Sequence, residues 1–496
     1  MGYDRRYNLM VDHRHSYETR KREYRLKGST FLPLLFLVNS MVWVLLFLYT
    51  NKPIFIIFIF AIPCFVFAAA KPIAGICIFF FWMIIIGVTR PIGVSLFSVN
   101  LLGIDLVVIL ALPAFIAALF KKRGGRVKTT KNPIIYVLIY MFIAICIGLI
   151  YGNERLWLTR DIRVFAYIIV IYFWSALVID NERKLRILTV SLIVATAIAG
   201  LLALIIEHSA LQGLLSDLGL QGYSESVGGL DVARVRFGGT ETYSALMLPF
   251  LASLYFSKEK RYKYFALVAL PFILIGLILS FTRTIWIAAG IGTFFSLVYT
   301  MRKMSGRKVM QFVLLLLILT TLLMGVLMIS TTGGATYGEA AEYRLGRLFG
   351  GGSTSDPSVS VRIDESEALI SSLRGNIFFG KGIGATYGFF ISSTIPYISG
   401  WSHNGWFWLI LKGGIVGFIL IFFAVYLAIR NVEKAINETD EDNSLKLILI
   451  GYTSSIITLI VMSLGVNSIA GIGGAAFFGL FFCIARNANL FMEVTR

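Results

Sequence analysis

The stretch GWSHNGWFWLILKGGIVG, residues 400–417, passes from a polar turn into a long apolar run and is typical of a loop that enters a membrane helix. Similar runs, each near the ~20 residues needed to cross a bilayer, recur from residue 31 towards the C-terminus. The sequence is 57% hydrophobic and its mean hydropathy is +0.80, which is more apolar than a soluble core can hide. We therefore predict an all-α polytopic membrane protein, because a closed β-barrel would show short alternating strands.

The apolar runs predict about fourteen transmembrane helices. The predicted spans are 31–50, 54–70, 73–88, 101–120, 133–151, 162–179, 185–207, 240–257, 263–282, 284–301, 309–330, 404–428, 445–464 and 470–486. Lys and Arg concentrate in alternate loops, which by the positive-inside rule places the N- and C-termini in the cytoplasm. Topology thus accounts for the net charge of +18, and no nucleic-acid partner is predicted.

The chain divides into four parts. Residues 1–30 form a basic cytoplasmic segment, and residues 31–330 carry transmembrane helices 1–11. Residues 331–403 form one long extracytoplasmic loop with short helices. Residues 404–496 carry transmembrane helices 12–14 and a short cytoplasmic tail. Loops of this length are usually either functional or disordered, so the long loop is the first place to look for a site.

Two pieces of the long loop have a recognisable pattern. DESEALISSLRG, residues 364–375, is predicted to be helical, with Asp364 as its N-cap and Gly375 as its C-terminal stop. FFGKGIGATYG, residues 378–388, is a glycine-rich turn region. It lacks the preceding strand and the Lys-Ser/Thr ending of a phosphate-binding P-loop, so nucleotide binding is not predicted.

Several arginines fall on the predicted outside, where the positive-inside rule disfavours them. Arg283 sits alone between two apolar runs, and both interfacial anchoring and a fixed cation aimed at an anionic ligand fit that position. Arginine suits phosphate because its planar fork makes two parallel hydrogen bonds. The other candidates are Arg236, before a span, and Arg362 and Arg374, in the long loop.

His403 lies where the long loop meets the next span, on the same predicted side as the arginines. A loop histidine bonded to the backbone is the simple interpretation, whereas a neutral imidazole can also accept a proton near neutral pH. The neighbouring Asn404 could orient the ring or bind an acceptor. Trp401 belongs to a cluster of tryptophans that fits an interfacial belt, although aromatic rings also stack on sugars.

Four motifs in order resemble the O-antigen ligase and O-antigen polymerase superfamily. HNGWFWLILKGGIVG (403–417) resembles its His-Asn signature followed by a Gly-x-x-Gly helix. RVRFGGTETYSALMLPF (234–250) and SFTRTIWIAAG (280–290) resemble its arginine-containing stretches before and between spans. VRIDESEALISSLRGNIFFGKGIG (361–384) resembles its arginine-initiated loop helix. The resemblance covers residues 230–420.

This resemblance implies a membrane glycosyltransferase related to the GT-C class, with its site on the extracytoplasmic face of the bacterial cytoplasmic membrane. Its donor would be a glycan on undecaprenyl diphosphate and its acceptor a second glycan, lipid or protein, with membrane lipids around it. Transfer would invert the anomeric centre and need neither metal nor cofactor. The implied roles are His403 and Arg283 as catalytic residues, Arg236, Arg283 and Arg362 as diphosphate ligands, and Asn404, Arg374 and Trp401 as supporting or acceptor-binding residues.

Three functions stay open on the sequence. We favour a polymerase that joins lipid-linked repeat units into a cell-surface polysaccharide, with export or chain-length proteins as possible partners. An O-antigen-type ligase uses the same donor and differs only in acceptor. A lipid-linked oligosaccharide flippase also suits fourteen helices, but transporters usually show paired repeats with broken helices, and we find no such repeat. The charged residues gather on one face of the predicted membrane protein instead of along a central path. Lys412 and Asp105, both inside predicted spans, are the main exceptions.

Overall fold

The computed structural model describes residues 71–86, 91–96, 99–102, 132–208, 239–301, 306–329, 331–332, 335–336, 357–391, 395–440 and 443–493. Within these residues the chain is mostly helical. The helices are α1 Pro72–Ile86, α2 Ile134–Ile150, α3 Arg155–Val178, α4 Glu182–His208, α5 Thr240–Tyr255, α6 Lys260–Ile278, α7 Arg283–Met301, α8 Gly306–Ile329, α9 Pro357–Ser372, α10 Gly405–Glu438, α11 Ser444–Met462 and α12 Ile472–Glu493.

Eight helices in the described part of the chain are long and apolar enough to cross a membrane: α3, α4, α6, α7, α8, α10, α11 and α12. This confirms a multi-pass helical membrane protein. Helices α1, α2 and α5 are shorter and coincide with three further predicted spans. The remaining predicted spans are 31–50, 54–70 and 101–120. Of these, the structure describes only residues 101–102, at the end of a strand, so the total of fourteen stays a prediction.

At three places the helix boundaries differ from the predicted ones. Helix α3 begins at Arg155, seven residues before the predicted span, because its first turns are polar and do not register as apolar sequence. Helix α10 continues to Glu438, since its charged last turns likewise lie beyond the apolar run. Helix α9 begins at Pro357, a favoured first helical residue, so Asp364 is an exposed interior residue and not the N-cap.

The strands in the described residues form three antiparallel hairpins. They are β1 Pro91–Leu96 with β2 Val99–Leu102, β3 Thr331–Thr332 with β4 Ala335–Thr336, and β5 Tyr387–Ile391 with β6 Ile395–Ser399. The β5–β6 hairpin packs against α9 and leads into α10. It therefore links the long loop to the helix that follows it.

The core is formed where the helices pack on one another. Helix α5 packs against α6, α7 and α11, while α12 packs against α3, and α10 against α2. Helices α11 and α12 are the most enclosed of the eight spans, whereas α8 has most of its apolar surface exposed. An apolar helix surface left uncovered by protein is suited to contact lipid chains.

Helix α10 is interrupted at Gly414, whose φ of +65° is a conformation that L side chains rarely adopt. The long loop supplies hydrogen bonds at this interruption. Ile415 N donates to Ile377 O at 2.9 Å, and Lys381 N donates to Leu411 O at 2.8 Å. Irregular backbone at membrane depth is tolerated only where protein satisfies it, as the loop does here.

Candidate active site

His403 directly precedes the capped start of α10. The side-chain oxygen of Asn404 accepts hydrogen bonds from Trp406 N at 3.0 Å and Phe407 N at 3.2 Å. Gly405 N donates to Ser463 O at 2.8 Å, which ties the helix start to the end of α11. Asparagine is a preferred N-cap because its oxygen satisfies amides that have no partner in the first turn. The local sequence therefore fixes the backbone on which His403 is carried.

The buried carboxylate of Glu365 holds the His403 ring. His403 Nδ1 lies 2.9 Å from Glu365 Oε2, and the His403 backbone N lies 3.2 Å from the same oxygen. Glu365 is 3% exposed and His403 51% exposed, so a buried acid faces an accessible imidazole. When Nδ1 donates to the carboxylate, Nε2 keeps its lone pair. Among the described residues Nε2 has no hydrogen-bond partner, which leaves it able to take a proton.

Tyr387, the first residue of β5, supports the acid from its other side. Its hydroxyl lies 2.5 Å from Glu365 Oε1 and 2.7 Å from Trp401 O. Burial and the adjacent carboxylate raise the pKa of Tyr387 well above its ordinary value, so the hydroxyl stays a donor. Burial alone would raise the pKa of Glu365, but the hydrogen bonds from His403 and Tyr387 outweigh it and lower the pKa. Glu365 is therefore ionised near neutral pH.

Both the backbone carbonyl and the side-chain ring of Trp401 take part in this arrangement. Its carbonyl oxygen lies 2.7 Å from the Tyr387 hydroxyl, and its ring lies 5.2 Å from the Arg160 guanidinium carbon. Arg160 lies the same distance from the ring of Trp157. A guanidinium between two indoles is held by cation–π attraction. The arrangement places a cation on α3 next to the segment that carries His403.

The predicted arginines fall in different places. Arg362 lies on α9 three residues before Glu365, so the two residues share one side of that helix, and Arg362 is partly buried. Arg283 is the first residue of α7. Arg374 follows the end of α9 and is exposed. Arg236 lies outside the described residues.

A shared turn relates Arg283 to the start of α10. A Cβ added at Gly465 would lie 2.6 Å from Thr284 Oγ1, so the residue next to Arg283 packs on the turn after α11. Two residues earlier, Ser463 accepts the hydrogen bond from Gly405. The starts of α7 and α10 therefore meet at the same end of the helix bundle. Among the described residues no group of three His, Cys, Asp or Glu forms a possible metal site.

Sequence reasoning missed three residues of this arrangement. Glu365 lies in the predicted loop helix and Tyr387 in the glycine-rich turn region, but neither of them, nor Arg160, was predicted as a site residue. The ring orientation expected of Asn404 is supplied by Glu365, since the oxygen of Asn404 caps α10. The spacing of Arg362 and Glu365 on one side of α9 was the one signal that could have found the acid.

A multi-pass helical membrane protein with an acid–histidine pair beside arginines, all at one end of the bundle, has the parts of a transfer enzyme. Residues 244–422 match a family model described as O-antigen ligase. The matched segment contains Arg283, Arg362, Glu365 and His403. The resemblance to the O-antigen ligase and polymerase superfamily is thereby confirmed. No curated protein matches the chain.

At a coarse level, the match implies a glycosyltransferase-like membrane enzyme, with a lipid-linked glycan donor and an acceptor.

Proposed function

We propose that the protein polymerises oligosaccharide repeat units carried on undecaprenyl diphosphate into a cell-surface polysaccharide, by metal-independent and inverting transfer. The observation that carries the proposal is the pair formed by buried Glu365 and accessible His403. A pair of this kind is suited to take a proton from a hydroxyl, and glycan transfer needs that step. The Lys and Arg distribution supports an extracytoplasmic site with both termini inside. The family resemblance is the basis for placing the protein in the bacterial cytoplasmic membrane.

In the proposed reaction, an acceptor hydroxyl attacks C1 of the donor sugar opposite the lipid diphosphate. The new C1–O bond forms as the bond from C1 to the diphosphate oxygen breaks, which inverts the configuration at C1. Nε2 of His403 takes the hydroxyl proton, and the charge of Glu365 stabilises the imidazolium that results. The bonding electrons leave with the diphosphate.

The departing diphosphate gains negative charge, and cations fixed in advance stabilise it in the transition state. Arg283 and Arg362 are the described candidates, and Arg236 is a third from the sequence. Guanidinium groups remain protonated at any physiological pH, so they can do this work without a metal ion. Trp401, Arg374 and Asn404 are proposed to support the site or bind the acceptor sugar.

Purified protein incubated with a lipid-linked repeat unit tests the proposal directly. A ladder of products on a gel is the result expected of a polymerase. A single transfer to an added lipid, glycan or protein acceptor would make the protein a ligase, which is the second candidate because the family model that matches is described as O-antigen ligase. Donor that crosses the bilayer in proteoliposomes without any new glycosidic bond would contradict the proposal and favour a flippase.

A further inference from the structure

An ion pair is buried between two spans, away from the proposed chemistry. Lys412 Nζ on α10 lies 2.7 Å from Asp161 Oδ2 on α3, and the side chains are 0% and 4% exposed. Lys412 is seven residues into α10, about 10 Å along the helix axis. Ionisable residues inside membrane helices are costly and usually functional. The pair therefore needs a role beyond holding two helices together, which apolar side chains do as well.

The pair's other hydrogen bonds go to a third segment, residues 380–385, which we call the glycine turn. Gly384 N donates to Asp161 Oδ2 at 2.8 Å, and Lys412 Nζ donates to Ala385 O at 2.6 Å. Each charged group thus contacts its partner and the backbone of the turn. A buried pair is stabilising only when such additional bonds satisfy it, so the charges and the turn depend on one another.

The glycine turn has little freedom to move. Asn153 Nδ2 donates to Lys381 O at 2.8 Å and to Ile383 O at 2.9 Å. Gly382 has a φ of +81°, and a Cβ there would lie 2.0 Å from Gly148 N on α2. The turn is therefore seated against α2 and α3 by hydrogen bonds and by direct backbone packing.

A short path leads from the turn to the site. Ala385 is two residues before Tyr387, whose hydroxyl contacts Glu365, and Glu365 in turn holds His403. Only Thr386 lies between Ala385, which Lys412 contacts, and Tyr387. A shift of the turn would move the tyrosine hydroxyl and loosen the carboxylate that orients the imidazole.

We infer that the ion pair between Lys412 and Asp161 is a positioning device for His403. It fixes the glycine turn to the membrane helices, and the turn fixes Tyr387 and Glu365 behind the imidazole. The inference rests on the proposed role of His403 as the base. Neither residue of the pair touches substrate, and both act through the turn.

The first test replaces both charges with apolar side chains, Asp161→Leu together with Lys412→Met. Apolar substitution of a buried pair often preserves stability, so the variant should fold. Its kcat should fall about 10- to 100-fold, the effect of misplacing a catalytic group by roughly 1 Å. The KM and the donor affinity should stay within about threefold of wild type, because the arginines are untouched. A wild-type kcat in the folded double variant would overturn the inference.

Lys446→Met is the matched control. Lys446 is also a buried lysine in a span, and it donates to Thr439 O. It follows the C-terminal end of α10, whereas His403 precedes the N-terminal end of that helix. Its replacement should change the melting temperature without changing kcat. An equal loss of kcat in this control would show that any buried lysine has the effect, and the positioning role would then be wrong.

A second variant avoids the buried charges altogether. Asn153→Ala removes two hydrogen bonds to the glycine turn from a partly exposed residue, so folding is retained and kcat should fall about tenfold. Each change is also made in a Glu365→Gln background. If the ion pair and the turn act through Glu365 and His403, their substitutions lower kcat no further in that background. Independent effects would multiply the separate losses of kcat. Multiplying effects, or unchanged kcat in Asn153→Ala, would contradict the inference.

The same set of variants separates the two proposals. Full activity of His403→Ala would reject the base itself. An inactive His403→Ala beside a fully active Asp161→Leu/Lys412→Met variant would reject only the positioning role of the ion pair.

Discussion

Replacing Glu365 with glutamine removes the negative charge behind His403 and keeps the shape of the side chain. In the protein the carboxylate lies 2.9 Å from His403 Nδ1 and 2.5 Å from the Tyr387 hydroxyl. The amide nitrogen of glutamine can donate to Nδ1, and the proton then moves to Nε2. The imidazole would then carry its proton on Nε2, and that tautomer cannot take the proton of the attacking hydroxyl.

The size of the effect follows from the charges. A carboxylate and an imidazolium about 4 Å apart attract by about 4 kcal/mol at an effective dielectric constant of ~20. Half of the His403 side chain is exposed, so solvent screening leaves about 2–3 kcal/mol. Each 1.36 kcal/mol is about tenfold in rate, and the wrong tautomer adds to the loss. We expect kcat to fall by ~10²–10³.

The assay is glycan transfer by purified protein at saturating donor, with donor binding and thermal unfolding measured in parallel. Donor affinity should not change, since the carboxylate does not face the diphosphate in the proposed reaction. Glu367→Gln is the matched control, an exposed glutamate on the same helix, and it should be fully active. Wild-type turnover by folded Glu365→Gln would refute the proposed base, and an equal loss in Glu367→Gln would show a nonspecific effect on α9.

The lowered pKa of Glu365 also predicts a dependence of stability on pH. A carboxyl group whose pKa is lower in the folded state stabilises the protein above its unfolded pKa of about 4.3. That stabilisation is lost as the pH falls through the folded pKa. The melting temperature of the wild type should therefore fall more steeply below about pH 5 than that of Glu365→Gln. Parallel curves for the two proteins would argue against a native ionised carboxylate.

His403→Ala should fold and bind donor but lose transfer by ~10²–10⁴, measured with the purified variant, and normal turnover at saturation would return the residue to a structural role. Arg236→Ala, Arg283→Ala and Arg362→Ala should each cost roughly 2–4 kcal/mol of transition-state stabilisation, about 30- to 1000-fold in kcat/KM, with partial rescue by Lys. Equal activity of all three alanine variants with wild type would exclude the diphosphate role. A Ser355→Cys variant should react with a membrane-impermeant maleimide in intact cells, and reaction only after the cytoplasm is opened would invert the proposed topology.

The amino-acid sequence by itself determined the class of protein and most helix positions. Apolar length is a local property, summed along the chain, and it predicted eleven of the described helices without reference to any contact. It was less accurate at polar ends, as at Arg155 and Glu438, where helical structure continues through residues that hydropathy does not register. The motifs at Arg283, Arg362 and His403 carried the resemblance that the family match confirmed.

Tertiary structure decided which side chains meet. Glu365 and His403 are 38 residues apart, and Asp161 and Lys412 are much further apart still. Their contacts exist because the long loop returns to the helices, which in turn requires Gly414 to leave helical geometry and the glycine turn to pack backbone on backbone. No periodicity in the sequence encodes such a return. It depends on where helices cross and which backbone groups lack a partner, and those are properties of the assembled bundle.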